Sequence, residues 1–171
     1  MEKKKSKINL RLMGGISVVA IVVMAIYFFL QIKKNANTSA SFISLDYSWG
    51  TGDSLLNHYN SATGAYSYLD QRDRPIYKTF KLRTYNIIYL NSKINQDDLF
   101  NIPDTLINKS DTVHNDKILR YEMDFKYEKQ HKKVVFMSNY NENPAYLERA
   151  IKLQKLVEQT VNEAEQRYTK N

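Results

Sequence analysis

Cysteine is absent from these 171 residues. That excludes disulfides, thiolate zinc sites, a thiol nucleophile and lipid attachment through an N-terminal cysteine. A domain exported without disulfides relies on its own core, which suits a bacterial envelope better than an endoplasmic reticulum. Glycine (five) and proline (three) are scarce, which argues against a fibrous or low-complexity chain. No repeat of solenoid period occurs. Only three histidines are present, His58, His114 and His131, and none stands three or four residues from another. No metal and no cofactor is expected from that spacing. Gly50-x-Gly52 lacks the third glycine and the strand-turn-helix setting of a nucleotide site, and reads as a turn.

The net charge of +7 raises the question of nucleic acid, and its distribution answers it. Through Lys34 the chain has Lys3, Lys4, Lys5, Lys7, Arg11, Lys33 and Lys34 against Glu2 alone, a net of +6. The other 18 basic and 17 acidic residues leave +1. A nearly neutral remainder with basic flanks around an apolar run is the pattern of a membrane-inserting sequence, and no nucleic-acid partner is expected.

That apolar run extends from Leu12 to Leu30, nineteen residues without a charge. At 1.5 Å per residue it spans roughly 28 Å, close to the ~30 Å hydrocarbon core of a bilayer. Tyr27, Phe28 and Phe29 suit an interface, and Lys33 and Lys34 suit the head groups beyond it. A cleaved signal peptide has a shorter apolar region and an earlier small-x-small site than Thr38-Ser39-Ala40, so an uncleaved anchor is favoured. Five basic residues precede the run and two follow it, which keeps the N-terminus cytoplasmic. The expected organisation is a basic cytoplasmic tail over 1–11, a signal-anchor helix over 12–32, a tether over 33–41 and an extracytoplasmic domain over 42–171.

In that domain, 41–49 alternates with Ile43, Leu45, Tyr47 and Trp49 on one face, which predicts a strand. Strands are also predicted over 65–70 and 76–83. The clearest covers 117–127, where Leu119, Tyr121, Met123, Phe125 and Tyr127 alternate with charged residues and fix the register. A turn around 129–132 leads to a last strand over 134–138. Ile87, Ile88, Leu90 and Ile94 predict a helix over 85–95, with Leu99, Phe100 and Ile102 packing its end. Asn143 as N-cap and Pro144 at the first position begin a final helix with Leu147, Ala150, Ile151, Val157, Val161 and Ala164 on one stripe. The fold class is α+β: an N-terminal transmembrane helix, then a small antiparallel sheet of about five strands packed against two helices. The strand tyrosines (Tyr59, Tyr66, Tyr68, Tyr77, Tyr121 and Tyr127) are expected to pack in the core and across strands; an exposed cluster would instead suit sugars or a partner protein.

Gly52-Asp53-Ser54-Leu55 is similar to the motif of the GDSL family of serine esterases, and Asp111-Thr112-Val113-His114 matches that family's DxxH. The resemblance implies Ser54 as nucleophile, His114 as base and Asp111 as its orienter. It covers eight residues only. The strand before it is half polar, the family's oxyanion-hole glycine and asparagine have no clear match, and the chain lacks its α/β scaffold. Gly-Asp-Ser is also an ordinary turn. The esterase is therefore the alternative, and no catalytic residue is assigned in the preferred reading.

The run from Tyr47 to Ser54, followed by Tyr59 to Leu69, resembles an uncharacterised family of small membrane-anchored or exported bacterial envelope proteins. Its members pair such an opening with a helix ending in a phenylalanine-proline segment, here Phe100 to Pro103, and finish with a hairpin and a charged helix. The resemblance covers about Ser41 to Arg167 and implies no activity. The expectation is a non-catalytic binding or interaction module in the inner (plasma) membrane. Its partners would be the bilayer through residues 12–32 and an envelope protein or glycan.

Overall fold

The strand predicted at 41–49 runs from Phe42 to Thr51 (β1) and lies at the centre of the sheet. The computed structural model describes residues 19–30, 41–112 and 114–169. Residues 19–30 form a helix, α1. After β1 come β2 (Ser54–Asn60), β3 (Ala65–Leu69), β4 (Pro75–Thr79), α2 (Thr84–Gln96), β5 (Thr105–Leu106), β6 (Leu119–Tyr127), β7 (His131–Met137) and α3 (Pro144–Tyr168). The α+β class is as expected. The sheet has seven strands in the order β4-β3-β2-β1-β6-β7-β5 instead of about five, and it is mixed, because β5 runs parallel to β7.

Two strands account for the difference. β5 is two residues long, too short for any periodicity. β2 is disguised by Asn57, a polar side chain between Leu55 and Tyr59 on the inward face. Asn57 earns that place by bonding both neighbouring strands: its Nδ2 donates to Trp49 O (3.0 Å) and its Oδ1 accepts from Leu69 N (3.1 Å).

Leu45, Tyr47, Tyr59, Tyr66, Met123, Phe125, Tyr127, Val134 and Phe136 share the inward face and join Leu90 and Ile94 of α2 and Ala150, Leu153, Val157 and Val161 of α3 in one core. Register follows the alternation of β6: Tyr47 lies opposite Met123 and Leu45 opposite Phe125. Leu99 and Ile102 are buried as expected. Asn143 caps α3, accepting from Ala145 N and Tyr146 N at 3.1 and 3.2 Å. Of the six strand tyrosines, five join or pack against the core, while Tyr77 on the edge strand β4 is 76% exposed.

Several faces differ from expectation. A bulge between Phe42 and Ser44 turns Ile43 outward and sends Phe42 against Tyr127. On α2 the buried stripe is Asn86, Leu90, Asn91 and Ile94, with Ile88 exposed. Arg120, expected on a solvent face, is only 7% exposed and is ion-paired with Glu122 (3.2 Å). β4 stops at Thr79 because Phe80 turns in to bond Gly64 O through its N–H (2.9 Å).

No helix of the described residues is long and apolar enough to cross a membrane. Of the span expected over 12–32, residues 12–18 and 31–32 lie outside the described residues, as do 1–11 and the tether through residue 40. The part described, α1, has the sequence VAIVVMAIYFFL, and every one of its residues is exposed. None belongs to the core.

Candidate functional site

Among the described residues, clustered chemistry stands out at three places. The first is the turn between β1 and β2. Gly52 takes a φ of 60 and donates its N–H to Asn115 O (3.1 Å), which seats the 114–118 segment on the turn. The GDSL-like and DxxH-like segments are thus neighbours. The His114 ring pairs through Nδ1 with Asp53, however, and both side chains are well exposed. Asp111 is occupied elsewhere: its Oδ2 accepts from Asn108 Nδ2 (3.1 Å) and Asn139 Nδ2 (2.8 Å). Asn108 also holds Asn139 O and the Asn141 N–H, so that carboxylate belongs to a knot tying the 108–111 loop to the entry of α3. Ser54 starts β2, exposed, opposite Thr51. A serine nucleophile needs an imidazole within ~3.2 Å that is itself oriented by a carboxylate. Here the carboxylate beside His114 is Asp53, and Asp111, the one the motif implies, has other partners.

The second place is the outward face of the sheet. Asp46 on β1 stands directly opposite Asp124 on β6, and like charges so placed on antiparallel strands repel. Each carboxylate is compensated from the strand beyond. His58 Nε2 lies 3.0 Å from Asp46 Oδ1, and Asn60 Nδ2 donates to Asp46 Oδ2 at 2.8 Å. His131 Nε2 lies 2.6 Å from Asp124 Oδ1. Hydrogen bonding to His58 holds the Asp46 carboxyl below the usual carboxylate range, against the opposing effect of partial burial. The same bond raises His58. Glu122, next along β6, is shared between Arg120 (3.2 Å) and Lys133 (3.1 Å). The row is a set of mutually satisfied pairs: among the described residues no three His, Asp or Glu side chains are placed to hold a metal ion.

The third place is a cavity of about 230 Å³ at the C-terminal end of α2, lined by Asn91, Ile94, Asn95, Asp98, Phe100, Tyr127 and Gln130. Burial raises the Tyr127 phenol well above its ordinary value, so it stays protonated and donates to Asn91 Oδ1 (2.6 Å). Asn91 is 1% exposed, yet its Nδ2 has no hydrogen-bond partner. A buried donor left without a partner costs roughly 1–3 kcal/mol, which makes this amide the least satisfied polar group of the α2 face. Asp98 beside it holds a φ of 50, a left-handed conformation uncommon outside glycine and asparagine. Its Oδ2 accepts from Asn101 Nδ2 (2.8 Å).

The sequence pointed to Ser54, Asp111 and His114, and it missed Asn91, Asp46 and His58. A signal for Asn91 was present: it stands one residue after Leu90 and three before Ile94, on an apolar stripe where a polar side chain calls for a partner. No protein-family model and no curated protein matches the chain.

Proposed function

We propose that this protein is a single-pass, membrane-anchored binding module of the bacterial envelope, with its N-terminus in the cytoplasm and its α+β domain outside the inner (plasma) membrane. The observation that carries the reading is α1, twelve apolar residues all facing outward, in a protein whose other large apolar side chains mostly pack inward. An apolar helix that none of the described residues covers belongs in an apolar solvent. The basic flanks, five residues before the run and two after it, give the orientation. The nearly neutral domain and the resemblance of 47–69 to small envelope proteins agree with a role in engaging an envelope protein or glycan. Asp111, the orienting carboxylate that the esterase resemblance implies, is held by Asn108 and Asn139 and does not pair with His114, which favours binding over serine hydrolysis.

Fractionation of cells producing the full chain tests the anchor. The protein is expected in membranes and resistant to alkaline carbonate. Val23→Arg with Ile26→Arg should release it, since each arginine adds about 2.5–3.5 kcal/mol against roughly 0.3–0.6 kcal/mol gained per apolar residue. Wild-type protein in the carbonate supernatant would overturn the reading.

A further inference from the structure

We infer that the free edge of β4 takes up an extended, acidic peptide as a further strand of the sheet, with one apolar side chain of that peptide seated between β4 and the end of α3. This names a partner class for the binding module proposed above, on which it rests, and does not depend on the anchor.

The backbone sets the mode of binding. β4 ends the sheet on one side, and no strand of the described residues pairs with its far edge. Opposed residues of an antiparallel pair alternate between bonded and unbonded positions. Asp70 N donates to Arg74 O (3.0 Å) at one end of the β3–β4 pair, and Phe80 N donates to Gly64 O (2.9 Å) at the other. Residues 74, 76, 78 and 80 therefore bond toward β3, while 75, 77 and 79 turn their main-chain groups away from it. Proline fits that pattern, because at position 75 an N–H would have no partner within the sheet. Tyr77 and Thr79, both exposed, each turn an N–H and a C=O to the open edge, at the spacing that an added strand bonds.

The side chains set the chemistry. Lys78 lies opposite the buried Tyr66 and so belongs to the inward face. A peptide residue placed opposite Lys78 points the same way. There Lys78, Thr79, Phe80, Glu165, Tyr168 and Thr169 surround a cavity of about 200 Å³ whose open surface is apolar. Lys78 and Glu165 pair with each other, so the cavity suits an aliphatic or aromatic side chain. Around it, Arg74 is paired with Asp70 (2.7 Å), which leaves Arg72, Lys81 and Arg83 against Asp73. That positive excess attracts an acidic segment. It also disfavours a second copy of the same edge, which would bring its own excess of positive charge alongside.

The test is a titration of the ¹⁵N-labelled full chain, in a zwitterionic detergent, with the peptide acetyl-Glu-Thr-Thr-X-Thr-Thr-Glu-amide, where X is Ala, Val, Leu or Phe. In an antiparallel register X falls opposite Lys78, and the threonines beside it fall opposite Tyr77 and Thr79. The Tyr77 and Thr79 backbone amide signals should shift saturably, and affinity should rise about tenfold or more from Ala to Leu at X. N-methylation of the two threonines beside X removes the donors that face β4 and should abolish binding, whereas N-methylation of X itself should not. Lysine in place of both glutamates should leave far weaker binding. Tyr77→Pro removes an edge donor at an exposed position and should abolish the response at an unchanged melting temperature. The N-methylated peptides decide the matter without any variant if that one fails to fold. No saturable shift with any X, indifference to N-methylation, or equal binding of the lysine peptide would overturn the proposal. A concentration-dependent dimer that shifts the same amides without peptide would give the edge to a second copy and overturn it too. Failure here with Ser54 unlabelled by a fluorophosphonate probe leaves the binding module standing, whereas labelling of Ser54 would remove that reading itself.

Discussion

Gly64→Ala should be among the most destabilising single-methyl additions in the domain. Gly64 sits in the turn from β2 to β3 with a φ of 82. Its N–H donates to Asn60 O (2.8 Å) and its carbonyl accepts from Phe80 N (2.9 Å), so it joins the β2–β3 turn to the chain leaving β4. A Cβ there would lie 2.8 Å from Phe80 O and 3.1 Å from Phe80 C, both backbone atoms that cannot rotate away. The left-handed conformation costs an alanine about 1–2 kcal/mol. Forcing the turn off Phe80 adds roughly 1–3 kcal/mol by analogy with overpacking. The stiffer unfolded chain returns about 0.4–1 kcal/mol. The net loss is about 2–4 kcal/mol, or roughly 10 °C in melting temperature for a domain of this size. Thermal unfolding of Gly64→Ala beside Ala62→Ser, an exposed neighbour in the same turn, makes the comparison. Equal melting temperatures for the two variants would show that the turn does not hold Gly64 against Phe80.

The Asp46–His58 pair should give stability a bell-shaped pH dependence. The raised histidine contributes fully below ~6.5 and loses its contribution as pH climbs through its elevated folded value, while the lowered aspartate contributes fully above ~3.9 and loses it as pH falls. His58→Gln should flatten the alkaline limb in chemical denaturation across pH; an unchanged limb would remove the pair from the account. Tyr127→Phe strips the donor from Asn91 Oδ1 and should cost about 1–3 kcal/mol in urea titration, with no loss meaning the amide is otherwise satisfied. Ser54 should remain unlabelled by a fluorophosphonate probe, and stoichiometric labelling abolished by Ser54→Ala would restore the esterase.

The elements most plainly legible in the sequence were β6 and α3. β6 announced itself because charged residues alternate with apolar and aromatic ones through nine positions, and α3 because Asn143-Pro144 is a strong start signal. β2 was hidden because Asn57 continues the ladder with a side chain, bonding Trp49 O and Leu69 N, and a pattern of hydrophobicity is blind to that. Ile43 and Ile88 point outward for different reasons. A bulge inverts the first, and the second loses its place to Asn91, whose bond to Tyr127 on β6 no local spacing reveals. The GDSL-like and DxxH-like segments did meet in space, yet Asp53 rather than Ser54 holds His114. A motif fixes which residues are near one another in sequence; the turn geometry at Gly52 decides which side chain faces the ring.

The anchor proposed for α1 would place the sheet and its cavity outside the cytoplasm. The most direct measurement is the activity of alkaline phosphatase and of a folded cytoplasmic fluorescent protein, each fused after Asn171 of the full chain in bacterial cells. With the anchor in place the phosphatase fusion should be active and the fluorescent fusion dark. A bright fluorescent fusion with an inactive phosphatase would put the domain in the cytoplasm and contradict it.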